Sequence, residues 1–264
     1  MIARAHIARA FGRAAPHYDQ YADLQRQVAV ELLGYVDPQL TSPAVLDLGC
    51  GTGYCSLKLR EQCPASELLA LDMALPMLQT VRQHGMADCA LVCADAQALP
   101  LCDALFDVVV SSLTIQWCSR LDALFTELFR VARPGAQVLL STFGPESLRE
   151  VKTAWAQIDN YVHVNEFAPL AVLVEQAEAA GFSCTSKAVP VTRRYESLQA
   201  VGKELKGLGA YNMNKAQAPG FTSRKTLVMA EQAFAVDRAP EGVAVTFEIL
   251  YLVLHKPIVA EGKK

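Results

Sequence analysis

Three glycines and three acids carry the first chemical signal in this chain. The stretch Val45-Leu46-Asp47-Leu48-Gly49-Cys50-Gly51-Thr52-Gly53 runs from an apolar, strand-length segment into a glycine turn, and a helix-length segment follows. A second acid, Asp72, closes the next apolar run, and a third, Asp95, follows the one after that. Glycine lets a backbone pass close to a ligand, and a carboxylate at the end of the second strand can accept both hydroxyls of a ribose. The pattern serves two ligand classes, a dinucleotide or S-adenosylmethionine. A dinucleotide fingerprint is spaced GxGxxG and sets a helix N-terminus under a pyrophosphate. Here the spacing is GxGxG, and Asp47 stands two residues before the first glycine, where it would repel a pyrophosphate. A carboxylate there can instead face the ammonium group of a methionine moiety, directly or through water, while Asp95 meets an adenine amino group. Acids around a sulfonium cation are electrostatically coherent, which favours S-adenosylmethionine.

The elements that must hold these residues follow from hydrophobic periodicity. Residues 44–48, 67–71, 90–94, 106–111 and 136–142 read as strands, and 57–63, 73–84 and 121–132 as helices. Pro76 falls in the first turn of the second helix and Gly85 just past its end. Strands alternating with helices predict a parallel, doubly wound α/β sheet. After Gly144 a polar, irregular stretch runs to Phe167. A helix from Pro169 to Gly181 and strands at 189–194 and 243–254 complete the pattern. With no internal repeat and no long linker, one domain over 1–264 is expected. Its parts are helical residues 1–43, a cofactor-binding core at 44–143, and a second half at 144–264 with a basic, substrate-side insertion at about 195–240. Pro16 divides the N-terminal part into two helical pieces. In the second, Tyr18, Tyr21 and Gln25 at i, i+3 and i+7 share a face, a stripe that is usually core.

Composition narrows the partners. The chain has 264 residues, 52% hydrophobic and 19% charged, which excludes a disordered or fibrous polymer. No apolar run approaches the ~18 residues of a membrane span. Arg4, Arg9 and Arg13 precede the first acid, Asp19, as in a transit peptide, but no serine precedes Ser42 and no secretory apolar region is present. The segment is therefore read as part of the mature protein. Eight scattered cysteines without a CxxC pair fit free thiols in a reducing cytoplasm, and His84, Cys89 and Cys93 lack metal-ligand spacing, so no metal is expected. The net charge of −3 hides an asymmetry. Residues 28–186 carry 8 basic and 18 acidic side chains, net −10, whereas 187–225 carry 8 and 2, net +6. In an acidic chain, such a block points to an acidic partner more than to nucleic acid, and on composition alone a solvated helix face is an equal reading.

From Val45 through Asp72 and Asp95 to Arg133-Pro134-Gly135 the chain resembles the class I S-adenosylmethionine-dependent methyltransferases. Its flanks are more specific. Phe11-Gly12-Arg13-Ala14-Ala15, His17-Tyr18-Asp19-Gln20-Tyr21, Ile115-Gln116-Trp117-Cys118, Ser141-Thr142-Phe143-Gly144 and Leu205-Lys206-Gly207-Leu208-Gly209-Ala210 resemble the malonyl-acyl-carrier-protein O-methyltransferases of biotin synthesis. Residues 221–225 follow that pattern only loosely. The resemblance runs over nearly the whole chain and implies a Rossmann-like sheet of seven strands, the last antiparallel, under an N-terminal helical lid. It implies methylation of the free carboxylate of a malonyl thioester on acyl carrier protein, with S-adenosylhomocysteine as the second product. The carboxylate is ionised at neutral pH, so no general base is required. The cofactor-binding set it implies is Phe11, Tyr18, Asp47, Gly49, Gly51, Gly53, Asp72, Met73, Asp95 and Ala96. Phe11 and Tyr18 would close the lid and Trp117 would wall the substrate pocket. Among the cations Arg149, Arg193, Arg194, Lys203 and Lys206, Lys206 and Arg149 are the candidates for holding the substrate carboxylate. The basic block would dock the acidic carrier. Rival expectations are another small carboxylate acceptor, malonyl-coenzyme A, a non-catalytic binding protein on the same fold, and, more remotely, a nicotinamide dehydrogenase.

Overall fold

The computed structural model describes residues 4–86, 88–211, 223–236 and 238–258. Along the chain lie α1 (Arg4–Ala14), a short turn of helix at Tyr18–Gln20, α2 (Asp23–Leu33), β1 (Ala44–Leu48), α3 (Tyr54–Gln62), β2 (Glu67–Asp72), α4 (Leu75–Gln83), β3 (Ala90–Cys93) and β4 (Phe106–Ser112). A second short turn at Ile115–Trp117 leads to α5 (Leu121–Val131), β5 (Ala132–Phe143), α6 (Arg149–Ala156), α7 (Leu170–Ala179), β6 (Ser183–Tyr195), α8 (Leu198–Gly207), α9 (Arg224–Phe234) and β7 (Val243–His255). The seven strands form one sheet in the order β3-β2-β1-β4-β5-β7-β6, with β7 antiparallel to both of its neighbours. The expected class I sheet is therefore present. Its strand order reverses between β1 and β4, the switch point at which open α/β sheets bind ligands beyond the strands' carboxyl ends.

Period-two alternation fills both faces. Val45, Val108, Val110 and Leu139 pack with Leu24, Val28 and Leu32 of α2 and Leu59 of α3 on one side. Leu46, Leu48, Val109, Val138 and Leu140 pack with Leu124, Phe125 and Leu128 of α5 and Leu173 of α7 on the other.

Several boundaries differ from the sequence reading for identifiable reasons. β6 starts at Ser183, not 189: it is an edge strand, mostly exposed, and its backbone pairing to β7 needs no apolar run. The irregular stretch after Gly144 contains α6, an eight-residue helix that buries Val151 and Ala154. Tyr18, Tyr21 and Gln25 do not share a helix. Tyr18 lies in the short turn, Tyr21 caps it, and only Gln25 is in α2. The insertion expected at 195–240 comprises α8 and α9, while its residues 212–222 and 237 lie outside the described residues.

Candidate active site

A cleft opens over the carboxyl ends of β1, β2, β3 and β4. Gly49, Gly51, Asp72, Met73, Asp95 and Ala96 line its floor, and Phe11, Tyr18 and Trp117 its upper wall. Gly49 has φ +73°, and a Cβ there would run into the side chain of Thr114, whose Oγ1 donates to the Gly49 carbonyl at 3.1 Å. The glycine turn is thereby fastened to the loop after β4. The Gly51 N–H donates to Asp72 Oδ2 at 3.0 Å and the Ala74 N–H to Oδ1 at 2.7 Å, so Asp72 stands rigidly at the cleft. Burial raises its pKa and those backbone donors offset part of the rise. Asp95 accepts from the backbone and side chain of Gln97, at 2.9 and 3.1 Å, and pairs with Arg4 at 2.8 Å.

Over the cleft lies α1, whose Arg4, Ile7 and Phe11 face inward at i, i+3 and i+7. Phe11 meets Trp117 edge to face, with centroids 5.3 Å apart. Tyr18 is fixed through its neighbour Asp19. Thr52 of the glycine turn donates to Asp19 Oδ1 at 2.9 Å, and Arg26 of α2 donates to the Asp19 carbonyl at 2.8 Å. Burial, with Asp72 nearby, pushes the Tyr18 hydroxyl upward, so it stays neutral. The segment from Leu205 to Ala210 comes against this N-terminal part. Gly209 has φ +72°, with Ala10 O 2.8 Å from where a Cβ would stand, and Gly207 faces the ring of Tyr21. Exposed His17 does not line the cleft.

Two members of the expected cofactor set do not reach the cleft. Asp47 shares the Val45 face of β1, is 1% exposed, and accepts from Ser56 Oγ of α3 at 2.6 Å beneath the glycine turn. Burial lifts its pKa to about 6, with the Ser56 hydrogen bond opposing. Gly53 caps α3 and packs against Val81. Neighbours the sequence reading passed over include Arg4, Ile7, Gln97 and Thr114. The helical spacing of Arg4, Ile7 and Phe11 was a signal for the first two, and the position just after β4 was one for Thr114.

A larger cavity, about 1220 Å³, lies beyond Trp117, between β7, α6, α8 and α9. Trp117 lines both spaces. Phe143, Phe167 and Phe247 form an aromatic wall, with centroid distances of 5.5 and 5.9 Å from Phe143. Lys206 and Lys203 line this cavity. Arg149 does not: it is exposed and paired with Glu150 at 3.1 Å and Glu146 at 3.7 Å, because the first turn of α6 turns it outward. Arg193 stands 3.9 Å from Asp23, and Arg194 3.8 Å from Glu241. All eight cysteines are free. Burial pushes Cys118, beside the cleft, up to about 12, which keeps it a thiol.

The cleft fits S-adenosylmethionine. Its lining combines Asp72 and Asp95 with Ala96, Cys118 and the rings of Phe11, Tyr18 and Trp117, the acids and aromatic surface that a nucleoside and a sulfonium call for. With the 3-2-1-4-5-7-6 sheet, this defines a class I S-adenosylmethionine-dependent methyltransferase. A family model for the methyltransferase domain matches residues 46–140. The malonyl-[acyl-carrier protein] O-methyltransferase of Methylococcus capsulatus is 40% identical over 257 residues, covering 95% of this chain and 93% of that one. The chain belongs to the malonyl-[acyl-carrier protein] O-methyltransferase family. The biotin biosynthesis bifunctional protein BioHC of Cellvibrio japonicus is 41% identical over 97% of this chain, which spans about half (51%) of that relative's length. Among solved structures, phosphoethanolamine N-methyltransferase 2 of Haemonchus contortus in complex with S-adenosyl-L-methionine superposes with a TM-score of 0.58 at 16% identity, covering 93% of this chain and 57% of that one. The [4+2]-cyclase SpnF gives 0.57 at 18% identity, covering 88% and 82%. These likenesses concern the fold, and the cyclase shows that the fold does not choose the reaction.

Proposed function

We propose that this chain methylates the free carboxylate of a malonyl thioester carried on acyl carrier protein, giving the methyl ester that enters biotin synthesis. The observation that carries the proposal is Trp117, which is at once a wall of the cofactor cleft and of the large cavity that Lys206 lines. The reaction joins two ligands, and this is where the two spaces meet.

When bound, S-adenosylmethionine supplies an electrophilic methyl group on a sulfonium sulfur. Asp72 would hold the ribose, and Met73, Asp95 and Ala96 would flank the adenine. Phe11 and Tyr18, on the segment that covers the cleft, would close it over the methionine end and exclude water. Asp47 would act from below, by fixing α3 to β1 under the glycine turn. On the acceptor side the carboxylate is already an anion and needs no base. The work left to the protein is alignment in a space with little water, which raises the nucleophilicity of an oxyanion. The aromatic wall of Phe143, Phe167 and Phe247 supplies the dry surface. Lys206 supplies the cation, a point charge that orients a carboxylate without the bidentate grip of an arginine. At about 1220 Å³ the cavity exceeds the roughly 300–1,000 Å³ usual for small ligands, which suits a long thioester arm.

Steady-state kinetics of Lys206→Ala and Lys206→Arg test the acceptor assignment. Loss of the cation raises KM for the malonyl thioester by about tenfold or more, and arginine restores part of it. Unchanged KM in the alanine variant contradicts the role of Lys206.

A further inference from the structure

The cations between residues 187 and 225 separate into two groups in space. Those on β6 are neutralised by the protein itself. Lys187 Nζ donates to Glu31 at 2.7 Å, Arg193 lies 3.9 Å from Asp23, and Arg194 lies 3.8 Å from Glu241. Lys203 and Lys206 of α8 and Arg224 and Lys225 at the start of α9 are exposed, and none has an ion-pair partner among the described residues. Lys215 lies outside the described residues. Lys203 and Arg224 also line the large cavity and, being exposed, lie at its rim. Between them α9 exposes aliphatic surface. Leu227 and Val228 are each 49% exposed and line the same cavity.

Resting on the reading that the acceptor is a carrier-bound malonyl thioester, we infer that the α8–α9 face is the docking surface for the carrier protein. Lys203, Arg224 and Lys225 meet its acidic side chains, Leu227 and Val228 meet its apolar ones, and the arm enters the cavity lined by Lys203, Arg224, Leu227 and Val228. The β6 cations take no part. Charge complementarity selects an acidic partner. The layout selects a protein over the phosphates of coenzyme A. Cations spread over two helices around an exposed aliphatic patch match a helix face, whereas a compact phosphate is held by convergent donors, and none of these cations is buried.

The test compares Lys203→Glu and the Arg224→Glu/Lys225→Glu pair with wild type on malonyl-carrier protein, malonyl-coenzyme A and malonyl-pantetheine. In parallel, binding of fluorescently labelled holo-carrier is followed by anisotropy. These positions are exposed, so an unchanged Tm verifies folding. Charge reversal should raise KM and Kd for the carrier at least about tenfold, leave kcat within about twofold, and leave both small thioesters unaffected. Added salt should raise KM for the carrier in wild type and much less in the variants, while Arg194→Glu on β6 should change nothing. Unchanged carrier binding in the variants overturns the inference. So does an equal loss on malonyl-coenzyme A, which would make the patch a phosphate subsite. Wild type that binds carrier through these residues but transfers no methyl refutes the acceptor reading alone. Wild type that neither binds nor transfers refutes both.

Discussion

At the scale of single residues, burial separates the roles of the acids. Asp72 and Asp95 line the cleft, whereas Asp47, two residues from the first glycine, is buried against Ser56. The alternation of β1 already placed Asp47 on the Val45 side, beneath the glycine turn, which charge complementarity alone did not reveal. Its carboxyl titrates near 6 in the folded chain, against an ordinary 3.8. Between those values the folded state holds a proton that the unfolded chain has released. Rising pH therefore lowers stability across this window and has no further effect above it. Asp47→Asn should remove that slope. Urea unfolding should show the variant gaining roughly 2–3 kcal/mol on wild type between about pH 4 and pH 7.5, and an equal slope in both proteins would contradict the assignment. Arg149 gives a contrasting case. Glu146 and Glu150 beside it marked an exposed, self-paired arginine, and Arg149→Ala should leave KM and kcat within about twofold in the methyl-transfer assay.

At the scale of elements, the covering segment is fastened at specific points. The contact of Thr52 with Asp19 ties the Tyr18 turn to the glycine turn, and Gly209 admits α1 at close range. Thr52→Val should weaken cofactor binding by about five- to tenfold in calorimetry, with Tm little changed, because one partly buried hydrogen bond is lost. Gly209→Ala forces a side chain onto Ala10 O at positive φ. It should cost about 1–3 kcal/mol in urea unfolding and weaken cofactor binding as well. These contacts explain what was legible beforehand. Buried parallel strands show as apolar runs, so β1, β2, β4 and β5 could be read directly, and β3, at the other edge, still shows as the short apolar run 90–94, whereas the strand order had to come from the structure. Of β6 only 189–194 shows as a strand, because its first half is exposed at an edge, and α6, with two buried residues, carries too little apolar pattern to be seen. The meeting of Leu205–Ala210 with residues 10–21 is long-range, and no local pattern predicts it.

At the scale of the whole molecule, the cleft and the larger cavity share Trp117 as a wall, and acids and cations are divided between them. Acids line the cleft over β1 to β4, aromatic rings lie between it and the larger cavity, and Lys203, Lys206 and Arg224 line the latter. No helix among the described residues is long and apolar enough to cross a membrane. A cyclase on the same fold means that only the acceptor chemistry can decide the reaction. The most direct measurement is methyl transfer from labelled S-adenosylmethionine to malonyl-carrier protein, with acetyl-carrier protein alongside, followed by mild alkali. Label should appear on the malonyl carrier alone and be released by alkali as methanol from an ester. Alkali-stable label, label on both carriers, or no label with cofactor binding intact would contradict it.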